Sequence, residues 1–339
     1  MTTPEMSVRR YSITEASEIA HARRALAAIA TDRGFGAEDA GRVALVATEI
    51  GSNLVKHGGG GELLVRLLQR EQRVGLELLG LDRGAGMTSV AQALRDGYST
   101  GGSPGTGLGA IARQAQCFDI YSQPGRGTAV LAQVWQGARA PAPAAALQIG
   151  AVVVPKAGET ECGDAWCCRE RAGGALLLGI DGLGHGLGAA QAARAACATF
   201  EAEHRRSPAD ILQSLHAALR STRGAAIMLV DIDWNLGRAA VAAVGNMVAA
   251  IVDDTNVRHV ATDNGIVGHV LPRIRELEYP CDPASVLLLH SDGVRTAWRS
   301  QRHPGLLSRH AALIAGVLYR DFRRERDDAL VVVVKWSPP

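Results

Sequence analysis

A short segment rich in alanine and proline divides the chain into two parts. It covers residues 137–146, reads GARAPAPAAA, and contains two prolines and no apolar periodicity. Such a segment has little to pack against and is typical of a linker. The parts on either side are each long enough to bury a core of their own. We therefore predict one domain at residues 1–137, a linker at 138–147 and a second domain at 148–339.

The composition of the 339 residues excludes several classes of protein. Hydrophobic residues make up 47% and charged residues 21%, and no apolar run approaches the roughly 18 residues that a membrane helix requires. The net charge of +2 provides no field that would attract nucleic acid or an anionic membrane surface. The sequence therefore predicts a protein that binds neither nucleic acid nor a membrane.

Lysine and cysteine usage narrow the choice further. The chain has three lysines, Lys56, Lys156 and Lys335, and none lies in a GxxxxGK(S/T) context or in a VAIK-like strand. A P-loop ATPase and a eukaryotic-type protein kinase are thereby excluded. The six cysteines form no CxxC pair and no secretory leader precedes them, so we predict buried thiols in a cytoplasmic protein.

The apolar pattern of the first part predicts helices and an antiparallel sheet that segregate into a two-layer α+β sandwich. The predicted helices cover residues 14–31, 37–57 and 108–116, and the predicted strands cover 62–69, 74–81, 118–122 and 128–135.

Two polar side chains on the second predicted helix suit a magnesium nucleotide. Glu49 and Asn53 are four residues apart, so their side chains lie one above the other beside the apolar stripe. An amide oxygen is a suitable ligand for Mg²⁺, and a carboxylate can deprotonate an attacking hydroxyl. The same pair also occurs by chance on many exposed helices, so it carries weight only together with the segments that follow.

Two glycine-rich segments follow in the first part. Asp82 ends an apolar strand and is followed by Gly84 and Gly86, which allow the backbone to approach a flat ligand, while the carboxylate can accept a hydrogen bond from the amine of adenine. Residues 101–109, GGSPGTGLG, then open a helix whose free N–H groups can cradle phosphates. This second segment partly matches the dinucleotide fingerprint, but no hydrophobic strand precedes it, so we reject a Rossmann fold.

In this order, the three segments resemble the Bergerat-type (GHKL) ATP-binding fold, and most of all the small serine/threonine kinases that act on anti-sigma and anti-anti-sigma factors. The resemblance covers about residues 8–136. It implies that Asn53 binds Mg²⁺, that Glu49 is the catalytic base and that Asp82 reads adenine. The remaining ATP-binding residues that it implies are Gly84, Gly86, Gly105, Thr106, Gly107, Leu108 and Gly109. A histidine kinase shares the fold, but His21 lacks the acidic neighbour usual at a phosphoacceptor.

The second part contains many strand-like runs with helices to either side, which predicts a β-sandwich flanked by helices. The predicted strands cover residues 149–154, 165–169, 176–180, 225–232, 239–244, 248–252, 286–290 and 330–336, and the predicted helices cover 187–204, 209–221 and 306–319.

Four aspartates of the second part stand at ends of these apolar strands. They are Asp164, Asp181, Asp292 and Asp327. A single Asp-Gly is usually a turn, but carboxylates that converge repel one another unless a multivalent cation neutralises them. Two ions that share Asp181 could lower the pKa of a water between them, which is the chemistry of phosphoester hydrolysis.

The segments GD at 163–164, DGLGHG at 181–186, GN at 245–246 and SDG at 291–293 closely resemble PP2C-like phosphatases of the sporulation and stress-response (SpoIIE-like) type. This resemblance covers about residues 148–336. It implies that Asp181 bridges two Mn²⁺ or Mg²⁺ ions, that the carbonyl of Gly182 binds one of them, and that Asp164, Asp292 and Asp327 complete the ligand set.

Two details of this resemblance stay open. Leu330 stands where the family usually has threonine, and Asp328 is an alternative ligand to Asp327. His185 could be an acid or could serve the glycine-rich turn around it.

Together the two resemblances predict a cytoplasmic, bifunctional regulator that uses ATP, Mg²⁺ and Mn²⁺. The implied substrates are anti-anti-sigma (STAS-type) phosphoproteins, whose partner binding changes with the added charge. The alternative is an active phosphatase whose first domain is a nucleotide-sensing or partner-binding module without catalysis. Whether the protein forms a homodimer is left open by the sequence.

Overall fold

The computed structural model describes residues 8–70, 72–94, 107–137, 147–253, 256–298 and 300–336. It consists of two compact units, and the mixed α/β class predicted for both halves is confirmed. The first unit comprises Met1–Ala144 together with Pro304–Arg320, and the second comprises Ala145–His303 together with Asp321–Pro339. The segment Pro304–Arg320, which the sequence assigned to the second domain, thus packs with the first unit. The predicted linker lies outside the described residues except for Leu147.

The first unit is built on a five-stranded antiparallel sheet in the order β1-β2-β3-β5-β4. Its strands are β1 Arg9–Ile13, β2 Gly61–Arg70, β3 Arg73–Asp82, β4 Cys117–Gln123 and β5 Gly127–Trp135, and its helices are α1 Ala16–Asp32, α2 Ala37–Lys56, α3 Val90–Ala93 and α4 Gly107–Gln114. Each element that the periodicity predicted is present to within two residues at either end, whereas β1 and α3 were not predicted.

Helix α2 supplies the centre of the first core. Its stripe of Val43, Val46, Ile50 and Leu54 is at most 2% exposed and packs between helix α1 and the sheet. Burial of side chains of this size stabilises a fold by roughly 1.5–3 kcal/mol each. The side of α2 next to this stripe carries Glu49 and Asn53, so packing of the stripe fixes where these two polar groups lie.

The second unit is a β-sandwich of two five-stranded sheets, in the orders β13-β10-β9-β8-β7 and β12-β11-β14-β15-β6. Its strands are β6 Leu147–Val154, β7 Asp164–Arg171, β8 Gly174–Gly182, β9 Ala225–Asp233, β10 Arg238–Val244, β11 Val248–Val252, β12 Val257–His259, β13 Leu277–Pro280, β14 Val286–His290 and β15 Ala329–Trp336. The sheets meet where Gly179 faces Leu289 and Met247, which leave no room for a larger residue.

Two helices of the second unit, α5 Leu187–Glu203 and α6 Pro208–Leu219, pack against the sheet that contains β8 and β9. Small buried alanines of α5, among them Ala189 and Ala193, allow close approach to the strands. Helix α7, Ala311–Phe322, follows near the end of the chain. All of its residues up to Arg320 belong to the first unit.

Helix α7 covers one face of the first sheet. Its residues from Ala311 to Arg320 are all buried, and Gly316 packs directly on Leu79 and Leu81 of strand β3. The guanidinium of Arg320 donates to the main-chain oxygen of Asp82 at 3.0 Å. The sequence predicted a helix here but not its packing, because a buried apolar helix carries no mark of which sheet it covers.

The six cysteines are free thiols, and Cys167, Cys197 and Cys281 are buried. Burial is the main cause that raises the pKa of Cys117 to about 11 and that of Cys168 to about 12. These two thiols therefore stay protonated near neutral pH and are poor nucleophiles. In the described part of the chain, no helix has both the length and the apolar content that crossing a membrane requires.

Candidate active sites

The first candidate site lies where helix α4 begins beside helix α2. A Cβ atom on Gly107, the first residue of α4, would lie 3.4 Å from both Asn53 Oδ1 and Glu49 Oε2. Glu49 and Asn53 are both half-buried, and Asn53 Nδ2 is a buried atom without a hydrogen-bond partner in the described structure. Buried amide groups are normally paired, so this arrangement fits a site that a polar ligand completes.

Asp82 lies at the end of strand β3 and is 8% exposed. Its Oδ1 accepts the backbone N–H of Gly84 at 2.8 Å and that of Thr128 at 3.0 Å, and these two bonds orient the carboxylate. Burial raises the pKa of Asp82, and the same two hydrogen bonds oppose that rise because they favour the charged form. The carboxylate is thus held in one orientation at the end of the central strand of the sheet.

The glycines after Asp82 allow close backbone contacts. A Cβ on Gly84 would lie 2.3 Å from the carbonyl oxygen of His57, so this loop packs against the end of α2. Gly86 has a φ of +67° and lies against the carbonyl of Gln123, where an L side chain would be strained and blocked. These contacts bring the loop at residues 83–86 next to the helix that carries Asn53.

The remaining predicted ATP-binding residues are described only in part. Gly107, Leu108 and Gly109 form the first turn of α4, and Leu108 also packs against the first core. Gly105 and Thr106 lie outside the described residues. The first turn of a helix presents unpaired N–H groups, which are suitable partners for phosphate oxygens.

The second candidate site is at one end of the strands of the second unit. Strands β7 and β8 pair so that Asp164 and Asp181 are direct cross-strand partners. Asp164 is 5% exposed and accepts a 2.6 Å hydrogen bond from the hydroxyl of Ser291. Ser291 also accepts the N–H of Leu330 at 3.0 Å, so it ties strand β15 to Asp164.

Asp292 and Asp327 complete this group of carboxylates. Asp292 accepts a 2.7 Å hydrogen bond from Asn246 Nδ2, which lies just before strand β11. Asp327 precedes strand β15 and caps its own turn through a 3.0 Å bond from the N–H of Asp328. The charges of both aspartates contribute to the raised pKa of Asp181, so both lie near it.

Asp328 has a different role from Asp327. Its Oδ1 accepts the N–H of Lys156 at 2.7 Å and its Oδ2 accepts the N–H of Gly163 at 2.6 Å. Both oxygens are therefore engaged in holding residues 156–163 against strand β15. This observation favours Asp327 over Asp328 as a metal ligand, a choice that the sequence left open.

Gly182 lies where the backbone is closely packed. Its N–H donates to the carbonyl of Gly163 at 3.1 Å, and a Cβ would lie 2.6 Å from the carbonyl oxygen of Ala189. Only glycine fits here, because any side chain would displace the start of α5. This packing positions the main chain of Gly182 directly after Asp181.

The charges of the aspartates strongly affect one another. Burial, followed by the charges of Asp292 and Asp327, raises the pKa of Asp181 to about 7. Burial and the neighbouring Asp181 raise the pKa of Asp164 well above its usual range. Burial also raises the pKa of Asp292 and that of Asp328. The carboxylates of Asp164, Asp181, Asp292 and Asp328 therefore bind their protons more tightly in the folded state than in the unfolded chain.

The donor set fits a divalent cation. Its side-chain donors are carboxylate oxygens, which Mg²⁺ and Mn²⁺ prefer, and Asp181 Oδ2 is buried without a hydrogen-bond partner among the described residues. Within those residues, no three His, Cys, Asp or Glu side chains already converge on one point at metal-ligand spacing. The mutual repulsion of the carboxylates is the property that a bound cation would neutralise.

We expect the metal-free protein to lose stability as the pH rises. A group whose pKa is higher in the folded state stabilises the fold below its unfolded pKa, and this contribution is lost as the pH rises through the folded value. For Asp181 that window runs from about 4 to about 7. With EDTA present, the thermal unfolding temperature should fall between pH 5 and pH 8 by at least about 4 °C, and Mn²⁺ should reverse the fall.

Two variants separate this effect from general titration of the chain. Asp181→Asn removes one of the shifted groups and should reduce the fall, whereas Asp231→Asn, on strand β9 beside Arg171, should leave it unchanged. If the unfolding temperature falls equally between pH 5 and pH 8 in wild type and in both variants, the raised pKa of Asp181 is contradicted.

Sequence reasoning missed several residues that hold these sites together. Ser291 and Asn246 belong to the SDG and GN segments, but the sequence did not predict their hydrogen bonds to Asp164 and Asp292. Arg320, which binds the main chain of Asp82, had no signal in the sequence. Its partner is a backbone oxygen, which any residue type could supply.

Both halves of the chain match known protein families. Residues 14–134 match the histidine kinase-like ATPase domain, and residues 172–337 match stage II sporulation protein E (SpoIIE). The serine/threonine-protein kinase RsbT of Bacillus subtilis (strain 168) is 29% identical over 118 residues, which are 35% of this chain and 89% of that protein.

Solved structures show similar folds. A structure from work on the bacterial stressosome is 28% identical with a TM-score of 0.52, and the match covers 56% of this chain and 99% of that one. RsbX, crystallised in complex with magnesium, is 18% identical with a TM-score of 0.50 over 56% of this chain and 96% of that one, a likeness of fold alone. The chain is therefore a fusion of a histidine kinase-like ATPase domain with a SpoIIE-type, PP2C-like domain.

Proposed function

We propose that this protein is a bifunctional regulator of a partner-switching pathway. Its second unit acts as a metal-dependent serine/threonine phosphoprotein phosphatase, and its first unit acts as an ATP-dependent protein kinase on the same class of protein. The observation that carries the proposal is the group of four strand-end aspartates. In this group Asp164 and Asp181 pair across two strands, and Asp181 Oδ2 is buried without a hydrogen-bond partner among the described residues.

In the phosphatase, Asp181 would bridge two Mn²⁺ or Mg²⁺ ions, with the carbonyl of Gly182 and the carboxylates of Asp164, Asp292 and Asp327 as further ligands. When bound, such ions supply Lewis-acid activation of water and of the phosphoryl group. The chain's own contribution is to hold these oxygens in place. Ser291 orients Asp164, and Asn246 orients Asp292. Outer hydrogen bonds of this kind commonly contribute 10–100-fold to metal affinity or activity.

In the kinase, Asn53 would hold Mg²⁺ and Asp82 would accept the amine of adenine. When bound, Mg²⁺ supplies neutralisation of phosphate charge. Glu49 would take the proton of the attacking hydroxyl, and the start of helix α4 at Gly107 lies beside both Glu49 and Asn53. The 29% identity to the kinase RsbT supports phosphoryl transfer to a protein substrate.

The substrates that we propose are anti-anti-sigma proteins of the STAS type. A phosphate on serine or threonine adds nearly two negative charges, which changes binding to a charged partner. The similarity to RsbT and to a structure from stressosome work supports this class. The small net charge of +2 supports a protein partner over nucleic acid. Six free cysteines fit a reducing compartment, and we propose a cytoplasmic location.

A second candidate function for the first unit is nucleotide sensing. The unit that contains Asp82 also contains Pro304–Arg320, and the chain continues from Arg320 to Asp327 in seven residues. Through this segment, nucleotide binding at Asp82 could change the activity of the phosphatase without any transfer of a phosphoryl group. If the first unit is a nucleotide sensor, ATP changes the rate of phosphate release from a phosphorylated protein even though ATP itself transfers no phosphoryl group.

The experiment that tests the proposal uses the whole chain and a phosphorylated STAS-type protein. We expect phosphate release with Mn²⁺, and loss of that release after EDTA treatment, restored by added Mn²⁺. Release that persists in EDTA at the same rate would contradict a metal-dependent phosphatase. Repeating the assay with a non-hydrolysable ATP analogue measures the sensing function separately, because the analogue cannot donate a phosphoryl group.

A further inference from the structure

Three side chains beside the phosphatase site form a continuous hydrogen-bonded chain. Lys156 Nζ lies 2.9 Å from His185 Nε2, and His185 Nδ1 lies 2.7 Å from Glu159 Oε1. These three side chains connect the loop after strand β6 with the glycine-rich turn that leads into helix α5. Neither the ligand set nor the proposed mechanism uses these three residues.

The chemistry of these groups fixes the direction of the hydrogen bonds. A lysine ammonium can only donate, so His185 Nε2 is the acceptor and the imidazole is neutral. The proton of the ring is then on Nδ1 and is donated to the carboxylate of Glu159. Glu159 therefore orients His185, and His185 orients the ammonium. After donating one N–H to the imidazole, Lys156 retains two N–H donors.

The position of Lys156 brings this ammonium close to the aspartates. The backbone N–H of Lys156 donates to Asp328 Oδ1 at 2.7 Å, and His185 follows Gly182 by three residues. Two separate segments, the loop at 156–163 and the turn at 182–186, thus place these three side chains at the rim of the aspartate group.

Among the described residues, the ammonium of Lys156 forms no ion pair with these aspartates. Its hydrogen-bond partner is the neutral ring of His185, so its charge is oriented without being neutralised by that contact. Phosphate oxygens are strong acceptors for an ammonium, which binds them as a compact point charge. A cation fixed at the edge of a hydrolytic metal site is suitably placed for the phosphoryl group of the substrate.

We propose that Lys156 binds the phosphoryl oxygens of the phosphorylated serine or threonine, and that His185 and Glu159 are positioning residues for its ammonium. The inference rests on the proposed phosphatase function. It assigns these three side chains a role in binding the phosphoryl group of the substrate. None of them transfers a proton in the reaction. The ammonium helps to hold the phosphoryl group, and the metal ligands remain those named above.

The test compares Lys156→Met with wild type in the full chain at saturating Mn²⁺. A charge-assisted hydrogen bond to phosphate corresponds to roughly a 10–100-fold effect on affinity. We expect KM for the phosphorylated STAS-type protein to rise about tenfold or more, with kcat changed by less than about threefold. Calorimetric titration with inorganic phosphate should show a similar loss of affinity, and Lys156→Arg should restore part of both.

The positioning residues give a second readout. Glu159→Gln keeps the shape of the side chain but weakens the orientation of His185, so KM should rise by a smaller factor than in Lys156→Met. Mn²⁺ affinity should stay within about twofold of wild type in both variants, because neither side chain is a proposed ligand. A purely structural role would instead reduce the unfolding temperature and leave phosphate affinity unchanged.

The matched control is Lys335→Met, which removes the same charge from strand β15 of the same unit. If Lys156→Met matches this control in KM and in phosphate affinity, while Asp181→Asn abolishes turnover, the inference is overturned and the phosphatase function stands. If wild type releases no phosphate at all, the proposed function fails. The calorimetric comparison then still decides whether Lys156 binds phosphate.

Discussion

Asp181→Asn should abolish Mn²⁺-dependent phosphate release, with a loss on the order of a thousandfold. Asp181 is linked to each of the other three aspartates, since it is the cross-strand partner of Asp164 and the charges of Asp292 and Asp327 raise its pKa. An amide has nearly the same shape as a carboxylate but no negative charge, and its nitrogen cannot bind a cation. The substitution therefore removes the proposed bridging ligand and also relieves charge repulsion in the fold.

The measurement is phosphate release from a phosphorylated STAS-type protein, with p-nitrophenyl phosphate as a second substrate. Asp231→Asn makes the same chemical change on strand β9, where the carboxylate pairs with Arg171. This control should retain wild-type activity. Because Asp181→Asn removes a repelling charge, the metal-free variant should be at least as stable as wild type at pH 8. Retained activity in Asp181→Asn would refute the two-metal assignment.

Glu49→Gln should abolish phosphoryl transfer from ATP while leaving ATP binding intact. A positioned general base contributes typically 10²–10⁴-fold to a rate, and glutamine cannot accept the proton. Nucleotide affinity should change by less than about threefold, because adenine recognition is assigned to Asp82 and metal binding to Asn53. Transfer of labelled phosphate from ATP to a STAS-type protein measures the rate, and calorimetric titration with ATP measures the binding.

Glu38→Gln is the matched control for this variant. Glu38 lies in the first turn of the same helix α2 and is exposed, so the same change of charge occurs away from the site. If Glu49→Gln transfers phosphate as fast as this control, Glu49 is not the base. If wild type shows no transfer to any STAS-type protein but ATP alters phosphate release, the sensing function replaces the kinase.

The arrangement of the aspartates follows from local sequence patterns. Strands β7 and β8 form a hairpin, so residues equally distant from the turn at 172–173 must be partners, and Asp164 and Asp181 meet this condition. Likewise, the apolar stripe of helix α2 determines which side carries Glu49 and Asn53. Where a functional group is a short distance along the chain from a strong periodic element, its placement could be predicted.

Other features depend on contacts between distant segments. Asp328 binds the backbone of Lys156 and Gly163, more than 160 residues earlier, so the sequence could not distinguish its role from that of Asp327. Strand β1 has only five residues and was missed because it shows little alternation. The packing of α7 on Leu79 and Leu81 was also missed, since the apolar run at 311–319 does not indicate which of the three sheets it covers.

The central claim is that one chain contains two opposed activities on the same phosphorylation site. The most direct test incubates a STAS-type protein with ATP, Mg²⁺ and Mn²⁺ together with wild type, Asp181→Asn or Glu49→Gln, and follows its phosphorylated fraction by mass spectrometry. We predict that Asp181→Asn drives the protein to full phosphorylation and that Glu49→Gln removes phosphate from a previously phosphorylated sample. Identical phosphorylated fractions for the two variants would contradict the claim.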